Sequence, residues 1–163
     1  MRRRRGFVAA LFGIAALFIT GMRGRLRRYA VSGESMAPTL ANGDWTLALR
    51  LSMAPRRGVI VVFDNTARPG MELVKRVIGL PGEKVTIANG QVHVDGSILA
   101  EPWADGPTRP DGEWLLGSGE VFVLGDARSH SSADSRLLGP VNISTVGWQI
   151  SARYWPLASI GRI

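Results

Sequence analysis

Apolar positions along this chain fall into short runs of two kinds. Gly58–Phe63 (GVIVVF) is unbroken and bounded by turn residues, which predicts a strand covered on both faces. Thr145–Tyr154 alternates, with Val146, Trp148 and Ile150 on one side, which predicts a half-buried strand. Trp45–Arg50 alternates in the same way, Glu72–Ile78 (ELVKRVI) reads as a strand stopped by Pro81-Gly82, Glu120–Leu124 as another, and Tyr29–Ser32 as a short extended piece. Lys84–Ala88 and Gln91–Val94 flank Asn89-Gly90, the dipeptide that best tolerates the positive φ angles of a two-residue hairpin turn. Residues 99–119 are rich in Pro, Gly and Asp and read as a loop excursion, so that hairpin and loop form an insertion over 84–119. Nine Pro and twenty Gly between these runs favour many short strands over long helices. The pattern predicts a mainly β domain over 29–163.

One stretch differs from all of these. Residues 6–22 carry no charge and are flanked by Arg on both sides, four before and four within 23–28. Seventeen residues of helix rise about 25 Å against a hydrocarbon core of about 30 Å, so a spanning helix needs snorkelling Arg or a locally thinner bilayer. A cleavable secretory signal shares the basic start and apolar middle, but no Ala-x-Ala site follows and four Arg make a poor mature N-terminus. The reading is a basic tail over 1–5, a transmembrane helix over 6–22 and a basic juxtamembrane linker over 23–28. Four Arg on each side leave the orientation undecided by charge.

That segment also explains the net charge. Of the formal +7, residues 1–28 supply eight Arg and no acid, leaving twelve basic and thirteen acidic residues from Tyr29 onward. The domain therefore has no global basic field for a nucleic-acid backbone. The absence of Cys excludes a disulfide scaffold and a thiol nucleophile, and no metal site or cofactor motif is read.

Two Lys occur among twenty basic residues, and Lys75 lies inside the apolar strand Leu73-Val74-Lys75-Arg76-Val77-Ile78. Arg cannot lose its proton in a protein, whereas a desolvated Lys can, and about 3 kcal/mol of desolvation brings an amine from about 10.4 to near 8. By itself this residue could equally snorkel at a strand edge. Ser35, in Ser32-Gly33-Glu34-Ser35-Met36-Ala37-Pro38-Thr39-Leu40, stands at a strand-to-turn transition with Gly33 before it and Pro38 after it. By itself it could equally be a turn serine.

Together the segments SGESMAPTL, RRGVIVVF, ELVKRVIGLPGE and GDARSHSSADSR closely resemble, in content, order and spacing, the successive motifs of bacterial type I signal peptidases. The resemblance covers about residues 31–156. It implies an antiparallel β catalytic domain tethered by one N-terminal transmembrane helix to the plasma membrane on the extracytoplasmic side. The implied substrates are secretory preproteins cut after small residues of the Ala-x-Ala type, with membrane lipid as a further partner. The implied chemistry is a Ser-Lys dyad without cofactor, Ser35 as nucleophile and Lys75 as general base. The Ser35 amide would be one oxyanion donor. Many relatives place a serine two residues earlier, where this chain has Gly33, so the second donor is expected from the Gly33 backbone, Ser32 or water.

The last motif is one residue longer than usual and has Ala127 where Asn is common. Counting back from Asp134 gives Ser132 as the residue that orients Lys75; counting forward from Gly125 gives Ser131; Ser132 is preferred. Arg76, Asp126, Arg128, Asp134 and Arg136 are expected in structural ion pairs, with Arg76 a candidate partner of Asp126. Val31, Met36, Leu73 and Val74 are expected to line the substrate pockets. His130 invites a Ser35-His130-Asp134 triad, but relatives that use His have it in place of the Lys, which is present here. Two other readings stay within reach: a maturation protease dedicated to one substrate, and a self-cleaving repressor. The 84–103 insert argues against the first, and the lack of an N-terminal helix-turn-helix against the second.

Overall fold

The computed structural model describes residues 24–66 and 68–163. The segment read as a transmembrane helix lies outside the described residues, and among those no helix is long and apolar enough to cross a membrane.

The elements follow the hydrophobic pattern: β1 (Leu26–Ala30), β2 (Trp45–Arg50), β3 (Ile60–Asp64), β4 (Glu72–Gly79), β5 (Lys84–Ala88), β6 (Gln91–Val94), β7 (Ser97–Ile98), β8 (Gly112–Leu115), β9 (Glu120–Leu124), a four-residue helical turn α1 (Ser135–Leu138), β10 (Val141–Asn142), β11 (Val146–Trp155) and β12 (Gly161–Arg162). The larger sheet runs β1-β2-β11-β3-β4-β9-β10 with β12 on β11, and a smaller sheet runs β7-β6-β5-β8. The pairings between these strands are antiparallel.

The unbroken apolar run at β3 has its physical reason here. Val61 and Phe63 enter one core with Leu73, Val77, Val121 and Val123, while Ile60 and Val62 enter another with Val31, Met36, Leu40 and Ile150. A third core joins the sheets through Ile78, Val85, Ile87, Phe122 and Leu124. Asn89 and Gly90 turn the β5–β6 hairpin with φ of 53° and 81°.

Three expectations are corrected. The extended piece near Tyr29 begins at Leu26, inside the stretch read as a linker, because its backbone pairs with β2 from Leu26↔Leu49 to Ala30↔Trp45. The loop excursion contains β8, recruited by pairing of Trp114 with Val85, a long-range contact that no local periodicity announces. Val146 does not share a face with Trp148 and Ile150. A register shift against β3 between Val146 and Trp148 sends Val146 to the first core and the other two to the second.

Candidate active site

The turn that carries Ser35 is pinned from below by Met36 and Leu40, which are 1% and 0% exposed. Backbone bonds from Ala37 to Glu34 O and from Leu40 to Met36 O close the turn, and the Ser35 carbonyl accepts from the Ala127 amide at 3.2 Å. Gly33 has φ of +92°, a conformation that strains any side chain, which is why this position is glycine. Its N–H donates to Asn42 Oδ1 at 3.0 Å, so in this structure the Gly33 amide is engaged by a side chain. The Ser35 amide meets no acceptor among the described residues.

Lys75 comes to the same point from β4, in register with Val61, and is 3% exposed. Its Nζ donates to Ser35 Oγ at 2.8 Å and to Val74 O at 3.0 Å. Burial pushes the Lys75 amine from 10.5 down to about 8, and Arg136 pushes the same way, against the pull of Asp134 and Asp126. An amine so placed and hydrogen-bonded to a hydroxyl has the geometry with which a base can activate a serine.

Ser132 is exposed and lines the cleft that holds Ser35 and Lys75. Ser131 is buried and turned away: its Oγ donates to Asp134 Oδ2 at 2.6 Å. His130 also lines the cleft, but its Nδ1 lies 3.1 Å from Ser129 Oγ. The Asp134 carboxylate serves Ser131, Arg136 and the Gly125 amide, so His130 and Asp134 are not coupled. For Asp134, burial raises the pKa, but the bonds from Arg136 and Ser131 prevail and hold it below the usual carboxylate range.

The remaining charged residues of the last motif form the frame. Arg76 holds Asp126 through Nε–Oδ1 at 2.8 Å and Nη2–Oδ2 at 2.5 Å, and also donates to Gly58 O. Arg128 finds its partner outside the motifs, in Glu101 at 2.5 Å, with Thr108 beside it. Arg136 pairs with Asp134 and reaches the carbonyls of Arg109 and Ser131. Glu101, Thr108 and Asn42 escape sequence reasoning because each sits in a turn or loop without periodicity. Gly125 escapes it too: a Cβ there would collide with Ser131 and come within 2.5 Å of Ser35 O, so glycine lets the last motif close onto the serine turn.

The cleft has a volume of about 390 Å³ and is walled by 29–32 on one side and 71–75 on the other. Val31, Met36, Leu73 and Val74 all line it. Among the described residues β1 is an edge strand and β4 pairs with β9 only from Arg76 onward, so both walls present strand edges with no described neighbour. At the far end Glu72 Oε1 ties the walls together, accepting from Arg27 Nη1 at 2.9 Å and Tyr29 Oη at 3.0 Å. Burial and the Glu72 bond push the Tyr29 hydroxyl pKa strongly upward, so it remains a donor.

Comparison with known proteins places this chain in a family. The model of the family described as signal peptidase, peptidase S26, matches residues 4–155. The chain is 38% identical to a signal peptidase I of Bacillus caldolyticus, over 78% of this chain and 79% of that one. It is 33% identical to a signal peptidase I of Leptolyngbya laminosa, over 93% and 80%. The crystal structure of a signal peptidase I from Enterococcus faecalis V583 superposes with a TM-score of 0.50 at 29% identity, covering 58% of this chain and 94% of that one. With the order of motifs, the sheet that carries them and the relatives in agreement, the chain belongs to the signal peptidase family, peptidase S26, and is a serine-peptidase hydrolase.

Proposed function

We propose that this enzyme removes signal peptides from exported preproteins at the outer face of the plasma membrane, through a Ser35–Lys75 dyad. The observation that carries the reading is the 2.8 Å bond from a buried Lys75 amine to Ser35 Oγ. Neutral Lys75 takes the Ser35 proton as Oγ attacks the scissile carbonyl. The developing oxyanion faces the Ser35 amide, a donor worth about 3 kcal/mol in such a role. Collapse gives an ester on Ser35 and releases the mature chain's amine, which leaves with the proton from Lys75. Water then delivers its proton to Lys75 and cleaves the ester, restoring the serine. Ser132, which lines the same cleft, is assigned the positioning of the Lys75 amine.

The open strand edges supply the mode of binding. An extended peptide added between them gains main-chain hydrogen bonds from both walls, while side chains fall alternately toward the apolar lining. The basis for a preference for small residues is the shallow lining by Val31, Met36, Leu73 and Val74.

Membrane apposition rests on residues 6–22 and on the surface of the domain. Trp45 and Trp155, register partners, are 44% and 50% exposed, with Leu49, Leu157 and Ile160 also exposed. Aromatic residues on an apolar, Arg-flanked surface suit the headgroup level of a bilayer. The test is cleavage in detergent of two unrelated preproteins by the full chain and by Ser35→Ala. Release of both mature proteins by the first and neither by the second is expected; cutting of only one would favour a dedicated maturation protease, and cutting of neither would refute the reading.

A further inference from the structure

A second and larger cavity, about 540 Å³, opens beside the catalytic cleft. The two share Ser132, and the segment 129–133 forms the partition between them. On its other side the second cavity is walled by the loop that carries Pro107, Arg109 and Pro110. Of its lining, Ser132 is the residue with a proposed place in the dyad chemistry, and the loop around Arg109 has none.

A peptide bound across Ser35 must run in both directions from the cut. In the proposed binding mode the groove between the strand edges takes the residues before it, and Glu72 bridges the walls of that groove through Arg27 and Tyr29. The second cavity meets the cleft at Ser132 and offers a path for the residues after the cut.

The charges there are unequal. Arg128 is closed by Glu101 and Arg136 by Asp134. Arg109 is exposed, and among the described residues it is the lining guanidinium with no carboxylate partner. The neighbouring carboxylate of Asp111 faces the Asn89 amide at 3.4 Å. The cavity thus offers apolar walls, two neutralised ion pairs and one uncompensated cation to whatever enters it.

We propose that this cavity is the subsite for the first residues of the mature chain, and that Arg109 makes it select for an acidic side chain among them. The assignment rests on the proposed peptidase activity and adds a specificity determinant on the leaving side.

The test uses the full chain in detergent and synthetic peptides with an Ala-x-Ala cut site, in which positions one to four after the cut carry Asp, Ala or Lys in turn. At low salt wild type should cut the best-placed Asp peptide with a kcat/KM about tenfold above its Lys counterpart, as attraction in one and repulsion in the other both count. Arg109→Glu should reverse that order, Arg109→Lys should keep it, and 0.5 M salt should flatten it. The ratio within each variant is the readout, so a general loss of activity does not mimic the effect. A ratio that is flat in wild type, or unchanged in Arg109→Glu, overturns the subsite. Failure of wild type to cut any peptide or preprotein refutes the peptidase reading instead.

Discussion

The Lys75 amine donates a 2.8 Å hydrogen bond to Ser35 Oγ across forty residues of sequence, and burial holds that amine at about 8. A base must be neutral to act, so kcat/KM should rise with pH to a plateau above about 8. Lys75→Arg keeps the charge but cannot deprotonate, and should lower the rate by about 10²–10⁴ without unfolding the domain. Appreciable turnover by that variant in a preprotein assay rules out Lys75 as the base.

The same shift has a consequence for stability. The folded pKa lies below the unfolded value, so below pH 8 both states hold the proton and the native state bears the full penalty of burying a cation. As pH rises from about 8 to 10.5 the unfolded chain keeps a proton that the native one has released, and the penalty of about 3 kcal/mol disappears. Denaturation of wild type beside Lys75→Met should show that difference at pH 7 and its decline by pH 10.5. A pH-independent difference contradicts it.

The two adjacent serines should separate function from stability. Ser132 faces the cleft, so Ser132→Ala should lower kcat on the order of 10²-fold through a misplaced Lys75 amine, with little change in melting and a shift in the pH profile. Ser131 bonds the buried Asp134, so Ser131→Ala should cost about 1–3 kcal/mol. The reverse pattern would transfer the positioning role to Ser131.

His130 Nδ1 is turned to Ser129, and Asp134 is occupied elsewhere. His130→Ala should therefore leave the rate within about tenfold, since loss of a true base costs far more. A thousandfold drop would require a His-based mechanism.

For the membrane segment, protease added to intact spheroplasts should digest the domain from Tyr29 onward and leave a small N-terminal fragment. Alkaline carbonate should leave the intact protein with the membrane, because the proposed anchor over 6–22 is an apolar segment and not surface charge. Full protection of 29–163 would put the active site in the cytoplasm.

Local chemistry alone determined the main strands and the hairpin, and it marked Lys75 as unusual. Asn89-Gly90 can close only one kind of turn, and the run from Gly58 to Phe63 has apolar side chains for both faces of a sheet, so each element was readable from a few neighbours. Lys75 stood out because an amine in an apolar strand is a local anomaly, although its partner was legible only through the likeness of four motifs to a known family. The tertiary structure decided what depends on residues distant in sequence. The Gly33 amide was engaged by Asn42, Arg128 was neutralised by Glu101, β8 emerged from a Pro-rich loop by pairing with β5, and Val146 changed core at a bulge. Such choices are made by the burial of groups that must find a partner once water is excluded, and which partner is near enough is fixed only when the sheets have closed.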